Sequence, residues 1–135
     1  WLSGAASRQA INERAEAALA LAGLSAQRNA IAGNTSHGEQ RQLEIAMTLA
    51  TAPQVLLLDE PLAGMGVAEA ERMVELLLKL KSTHAILLVE HDMDAVCALA
   101  DHLTVMVNGE VIASGSPEAV RSNAQVQAAY LGDDH

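Results

Sequence analysis

The chain has 135 residues, half of them apolar and 19% charged, which suits one globular domain or a large part of one. Its formal net charge of -9 argues against a nucleic-acid partner, because phosphate backbones are held mainly by clustered Lys and Arg, and the eight basic residues here are scattered. The single cysteine, Cys97, excludes an intrachain disulfide and a cysteine zinc cluster, and no apolar run approaches the ~20 residues that span a bilayer.

The first third of the chain predicts two helices joined by a loop. Alanines and larger apolar residues recur at helical spacing from Arg8 to Ala22, and Gly23 follows where a helix would end. Asn, Gly and Thr are frequent from Ala26 to Thr35, as is typical of a loop. A second helix is predicted from about Gly38 to Ala50.

The middle of the chain alternates apolar strands with helices. Val55–Leu58 is a continuous apolar run that suits a strand buried on both faces, and Ala85–Val89 is a second apolar run. Helices are predicted over Val67–Leu80 and Met93–Ala100. This order of elements predicts an α/β fold with a parallel sheet.

The last third predicts a hairpin followed by a helical region. The strands are predicted over Leu103–Val107 and Glu110–Ala113, and Asn108-Gly109 between them supplies the positive φ angles of a tight turn. A last helical region is predicted from Ser116 to about Leu131.

Ser36 lies at the predicted start of the second helix. Ser36 and Glu39 match the capping box, in which a hydroxyl and a carboxylate satisfy exposed amides and no ligand is needed. The same amides, with Gly38 allowing close approach, are also typical of an anion site. Ser36, Gly38 and Glu39 are therefore predicted nucleotide-binding residues, and both interpretations can hold in different states of the protein.

Two adjacent acids, Asp59 and Glu60, follow the first apolar strand. At a strand end the first acid suits the coordination shell of Mg²⁺, and its neighbour suits an attacking water. The run Asp59-Glu60-Pro61 also suits a simple polar turn, and taken alone the two interpretations weigh evenly.

Glu90 and His91 directly follow the second apolar run. A histidine at a strand end can donate a hydrogen bond to phosphate or to an attacking water, although such a histidine alone is more often structural. The remaining histidines lack the spacing of metal ligands and are treated as ordinary polar residues: His37, His84, His102 and His135.

In this order the segments resemble the C-terminal half of the ATP-binding domain of ABC transporters. Residues 36–46 resemble the family's signature motif and its helix, residues 55–60 resemble the Walker B strand with its catalytic glutamate, and His91 resembles the switch histidine. The ending Tyr130-Leu131-Gly132 resembles the ATPases of branched-chain amino acid importers.

The resemblance implies a P-loop NTPase-type parallel sheet with flanking helices and an added helical subdomain. It assigns the helical subdomain and signature helix to about residues 1–50, the Walker B and switch-histidine core to about 51–115, and C-terminal helices to about 116–135. The Walker A pattern Gly-x-x-x-x-Gly-Lys-Ser/Thr does not occur in the chain, and residue 1 is Trp1 rather than Met. The chain is therefore expected to be the downstream part of a longer protein.

The resemblance also implies roles for the candidate residues. Asp59 would support Mg²⁺, Glu60 would polarise the hydrolytic water, and His91 would contact the γ-phosphate of ATP. Ser36 and Gly38 would hold the γ-phosphate of ATP bound to a second ATPase subunit, so that active sites are shared between subunits.

The signature of this chain departs from the family pattern. The family usually has Leu, Gly and Gln where this chain has Thr35, His37 and Glu39, and many members have Asp where this chain has Gly66. The glycine expected to approach phosphate, Gly38, is retained.

The resemblance implies an ATP hydrolase that powers amino-acid uptake, with branched-chain amino acids as the expected solutes. Its expected partners are a second ATPase subunit, a membrane permease and, indirectly, a solute-binding protein, at the cytoplasmic face of the membrane. The isolated chain is expected to be inactive. Two alternatives stay open: a non-catalytic half-domain that acts at most as an interaction module, and an ABC ATPase outside transport.

Overall fold

The structure is a computed structural model that describes residues 2–131. These residues form two compact units, one that ends at Val89 and one that begins at Glu90. None of the helices described within residues 2–131 has the length and apolar character needed to cross a membrane.

The first unit contains three helices and two strands. They are α1 (Leu2–Leu21), α2 (His37–Leu49), β1 (Val55–Asp59), α3 (Val67–Lys81) and β2 (Ala85–Val89). Two short 3-10 turns, Ser25–Gln27 and Ala32–Asn34, lie in the loop predicted between α1 and α2. α1 begins several residues before the predicted start at Arg8, and it ends ahead of Gly23, whose φ of 77° is the left-handed conformation that stops a helix.

β1 and β2 pair in parallel, as predicted. Burial on both faces was the wrong expectation for β1, because burial alternates along the strand: Leu56 is fully buried, whereas Leu57 is 72% exposed. One face of this two-stranded sheet therefore carries a patch of exposed apolar side chains, formed by Val55, Leu57, Leu87 and Val89. No element described within the first unit covers that face, so the strand behaves like one from a half-solvated sheet.

The interior of the first unit is aliphatic. Met73 and Leu77 of α3 are buried. Ala22, Leu24 and Ala46 form a second buried cluster where the end of α1 packs on α2. With no Phe in the chain, close packing of Leu, Met and Ala supplies the core.

The second unit contains α4 (Met93–Leu99), β3 (Leu103–Val107), β4 (Glu110–Gly115), α5 (Pro117–Arg121) and α6 (Ala124–Leu131). β3 and β4 form the predicted antiparallel hairpin, and its turn residues Asn108 and Gly109 have φ angles of 50° and 83°.

The predicted last helical region consists of two helices, α5 and α6. The break falls at Asn123, whose side-chain oxygen accepts hydrogen bonds from the amides of Gln125 at 2.8 Å and Val126 at 3.3 Å. Asn123 therefore begins a new helix instead of continuing α5, because a short polar side chain competes for the backbone amides.

Adjacent leucines of β1 provide a test of the packing. We expect Leu56→Ala to lower the free energy of unfolding by about 2–5 kcal/mol, since it leaves a cavity in the core. Leu57→Ala removes a mostly exposed side chain and should cost less than about 1 kcal/mol. Urea unfolding of the 135-residue chain measures both, and equal losses would contradict the alternating burial.

Candidate functional site

Two acids lie at the carboxyl end of β1. Asp59 is the last residue of the strand, and Glu60 follows with a φ of 45°, a left-handed conformation that is uncommon for a residue with a side chain. The Glu60 amide donates to the carbonyl of Val89, at 2.9 Å, which holds this turn against the end of β2. A strained backbone of this kind costs on the order of 1–3 kcal/mol and is typical of functional positions.

A pocket of about 210 Å³ opens beside Asp59. Its remaining walls come from α2, which contributes Arg41, Glu44 and Thr48, and from Leu57 and its neighbours on β1. Arg41 donates to Glu44 at 2.8 Å, so the charged side chains of the α2 wall are paired with each other. Asp59 therefore borders a pocket lined by both apolar and polar residues.

The start of α2 has the predicted capping box. The Glu39 amide donates to the Ser36 hydroxyl at 3.2 Å, and the Ser36 amide donates to the Glu39 carboxylate at 2.9 Å. Gln27 donates to the other oxygen of Glu39 at 2.8 Å, which ties the preceding loop to the helix start. The capping interpretation of Ser36 and Glu39 is thus confirmed for the present conformation.

A third acid, Glu69 of α3, also lies at the start of α2. The amide of Gly38 donates to one Glu69 oxygen at 3.2 Å, and the amide of Gly66 donates to the other at 3.3 Å. Hydrogen bonds from the Ser36 hydroxyl and then from the Gly66 and Gly38 amides hold the pKa of Glu69 below its ordinary value of 4.5. One carboxylate therefore bridges the N-termini of two helices.

A second contact holds the start of α2 against another segment. A ring nitrogen of His37 lies 3.2 Å from the carbonyl oxygen of Ala63, and Gly64 leaves room for the imidazole. His37, treated as an ordinary polar residue in the sequence, thus links the start of α2 to the loop after β1.

The second unit fixes the backbone of His91 on both sides. Its amide donates to the Glu90 carboxylate at 3.2 Å, and its carbonyl accepts from the hydroxyl of Tyr130 at 3.1 Å. The side chain of Glu90 is only 1% exposed, whereas that of His91 is 76% exposed. Asp92 then caps α4 by accepting from the amides of Asp94 and Ala95, each at 3.0 Å.

The predicted residues thus form three local arrangements. Ser36, Gly38 and Glu39 are brought together at the start of α2, Asp59 and Glu60 at the end of β1, and His91 lies in the second unit.

Two residues that contact the candidate site residues, Glu69 and Tyr130, were not predicted from the sequence. Glu69 stands three residues after Gly66, the same spacing as Glu39 after Ser36, so the capping pattern was there to be found. Tyr130 carried no local signal for a contact with His91.

Two families match separate stretches of the chain. The family described as "ABC transporter" matches residues 3–63, which include the start of α2 and the end of β1. The family described as "Branched-chain amino acid ATP-binding cassette transporter" matches residues 110–135, which include Tyr130. Gly132, the last residue of the predicted family ending, lies outside the described residues.

Curated relatives and a solved structure are similar to the chain. BraF of Pseudomonas aeruginosa, a high-affinity branched-chain amino acid transport ATP-binding protein, is 44% identical over 107 residues, or 78% of this chain and 42% of BraF. LivG of Escherichia coli, with the same description, is 42% identical over 123 residues, or 90% of this chain and 48% of LivG. An ATP-binding cassette of an ABC transporter in its ADP conformation has 34% identity and a TM-score of 0.82, covering 91% of this chain and 50% of that one.

The likeness to the solved cassette confirms the predicted α/β fold class. The chain spans about half the length of the curated relatives and of that cassette.

The capping role of Ser36 can be tested on the 135-residue chain. We expect Ser36→Ala to cost about 0.5–2 kcal/mol, because a helix N-cap hydroxyl is lost. Ser7→Ala changes an exposed serine within α1 and should be neutral or slightly stabilising, since Ala is the better helix former. If urea unfolding shows the two variants to be equally stable, Ser36 does not cap α2.

Glu69 gives a pH dependence of known sign. Its pKa is lowered in the folded chain, so the carboxylate favours folding at pH values above about 4.5 and this contribution is lost as the pH falls through the lowered pKa. We expect Glu69→Gln to lower the urea midpoint near pH 7, and we expect its difference from wild type to shrink as the pH falls below 4.5. In Glu71→Gln, the matched change on the same helix, no such difference should appear.

Proposed function

The chain belongs to the ATP-binding protein family of ABC transporters, and on this basis we propose that the complete protein hydrolyses ATP to power amino-acid import. The transport proteins BraF and LivG, together with the match over residues 110–135, support branched-chain amino acids as the solute class. The observation that carries the proposal is the start of α2, where the buried amide of Gly38 already holds a negatively charged oxygen.

The candidate residues would have separate roles, and the first of these is to bind the phosphate and Mg²⁺. Ser36 and Gly38, steadied by Glu39, would bind the γ-phosphate of ATP through backbone amides and a hydroxyl. Asp59 would supply one carboxylate to Mg²⁺, which in proteins commonly has one or two carboxylate ligands and completes its shell with phosphate oxygens and water. Bound Mg²⁺ would neutralise charge that develops on the transferring phosphoryl group.

Glu60 and His91 would act on the reaction itself. Glu60, exposed at the end of β1, would accept a proton from the attacking water. His91 presents an exposed imidazole on a fixed backbone, which suits a hydrogen bond to the γ-phosphate. This division is the one typical of phosphoryl transfer, in which positioning and charge stabilisation contribute most of the rate.

The proposed assembly is a pair of ATPase subunits that share each ATP site. Ser36 and Gly38 would serve ATP held by a second ATPase subunit, so binding of ATP would close the pair and hydrolysis would release it. This cycle would drive a membrane permease, with a solute-binding protein as an indirect partner. The ATPase would then be peripheral at the cytoplasmic face of the membrane.

We also propose that the chain is the C-terminal part of one ATPase domain. Residues 1–50 would form the helical subdomain with the signature helix, 51–115 the catalytic core, and 116–135 the C-terminal helices. Exposure of the apolar patch on β1 and β2, including Leu57 and Leu87, supports this, because such a patch suits burial against further chain.

One alternative has specific support. The Walker A pattern is missing from these residues, and the chain matches only about half of each relative, which favours a half-domain that does not bind nucleotide alone. Calorimetric titration of Mg-ATP into the 135-residue chain separates the cases. The absence of heat at millimolar nucleotide is expected from a half-site, whereas micromolar binding would reveal a second phosphate cradle.

Glu60→Gln in the complete protein tests the proposed chemistry. We expect the steady-state rate of ATP hydrolysis to fall by at least about 100-fold, because the amide cannot accept the proton of the attacking water. ATP affinity should survive, since Glu60 does not hold the nucleotide. Glu71→Gln, an exposed change on α3, should leave the rate unchanged. Retained turnover in Glu60→Gln would rule out Glu60 as the base.

A further inference from the structure

We propose that Glu69 is a resident anion at the phosphate site, and that its carboxylate competes with the γ-phosphate of ATP for the amide of Gly38. Glu69 thereby sets how tightly the complete protein binds ATP relative to ADP. The inference rests on the proposed function, because it takes Ser36 and Gly38 as γ-phosphate ligands.

The contacts of Glu69 are those that a phosphate oxygen would make. One carboxylate oxygen accepts from the Gly38 amide at 3.2 Å, and the nearby Ser36 hydroxyl lowers the pKa of the carboxylate. These are the two groups that the proposed function assigns to the γ-phosphate. A carboxylate in this position offers the negative charge that the N-terminus of α2 favours.

Space at Gly38 is sufficient for one anion only. A Cβ atom added to Gly38 would lie 2.9 Å from the carboxyl carbon of Glu69, so the carboxylate lies directly against the glycine backbone. A phosphate oxygen that reaches the same amide would occupy the position of the Glu69 oxygen. Two negative charges at that separation repel strongly, so one must leave when the other binds.

The two carboxylate oxygens of Glu69 accept from different helices, so the side chain can release Gly38 to ATP without losing its other partner. Oε1 accepts from Gly38 of α2, and Oε2 accepts from Gly66 at the start of α3. Rotation of the carboxylate can release Gly38 while α3 keeps its cap from the same side chain. The side chain is half-buried, so the released oxygen can be hydrated.

Glu39, the other acid at the start of α2, does not compete for the amide of Gly38. Its carboxylate accepts from the Ser36 amide at 2.9 Å and from Gln27 at 2.8 Å, so it caps the helix and the preceding loop. Glu69 is the acid that contacts the amide of Gly38, and it is therefore the one that ATP must displace.

The test uses the complete protein in a Glu60→Gln background, so that ATP is bound but not consumed. Calorimetry gives the dissociation constants of Mg-ATP and Mg-ADP for Glu60→Gln alone and with either Glu69→Gln or Glu71→Gln. Competition predicts that Glu69→Gln tightens ATP binding by roughly 3–30-fold, since a neutral amide holds the Gly38 amide less strongly than a carboxylate. ADP lacks the γ-phosphate, so its affinity should stay within about twofold of the control, as should both affinities in Glu71→Gln.

Other outcomes overturn the inference. Unchanged or weaker ATP binding in Glu69→Gln, with ADP binding intact, would show that the carboxylate supports the helix start and does not compete. Equal weakening of ATP and ADP would indicate general damage to the fold and would equally contradict a competitor. Failure of the proposed function is a separate result, because it appears as a complete protein with the unaltered sequence that does not hydrolyse ATP.

Discussion

The exposed backbone amides at the start of α2 are the constraint on which the rest of the site depends. A helix begins with amides that have no partner within the helix, and here Ser36, Glu39 and Glu69 satisfy them. The same amides carry the positive end of the helix dipole, so the cap that stabilises α2 is also an anion site. The backbone amides that are capped in this structure are thus the same donors that would bind phosphate.

This shared use explains why two acids lie so close to a site proposed for phosphate. Glu39 belongs to the helix itself and fixes its first turn, whereas Glu69 comes from α3 and joins the two helix starts. The contact of His37 with Ala63 also ties the start of α2 to the loop after β1.

Features that depend on residues close together in the sequence were predictable, whereas contacts between residues far apart in the sequence were not. The capping box at Ser36 and the turn at Asn108 depend on residues within a few positions, and both are confirmed. The exposure of Leu57 depends on what covers the sheet, which the apolar run itself does not encode. The bond between Gly38 and Glu69 joins residues 31 positions apart, so it arises only when α2 and α3 are packed together. The roles of the candidate residues stay predictions, since spacing alone does not reveal a bound phosphate.

A crystal structure of the complete protein, as Glu60→Gln with Mg-ATP bound, would show directly whether the γ-phosphate displaces Glu69 from Gly38. Competition between Glu69 and ATP predicts that an oxygen of the γ-phosphate accepts from the Gly38 amide at hydrogen-bond distance, while Glu69 turns away and keeps its bond to Gly66. A structure in which ATP is bound in a closed pair and the Glu69 carboxylate still accepts from Gly38 would contradict it.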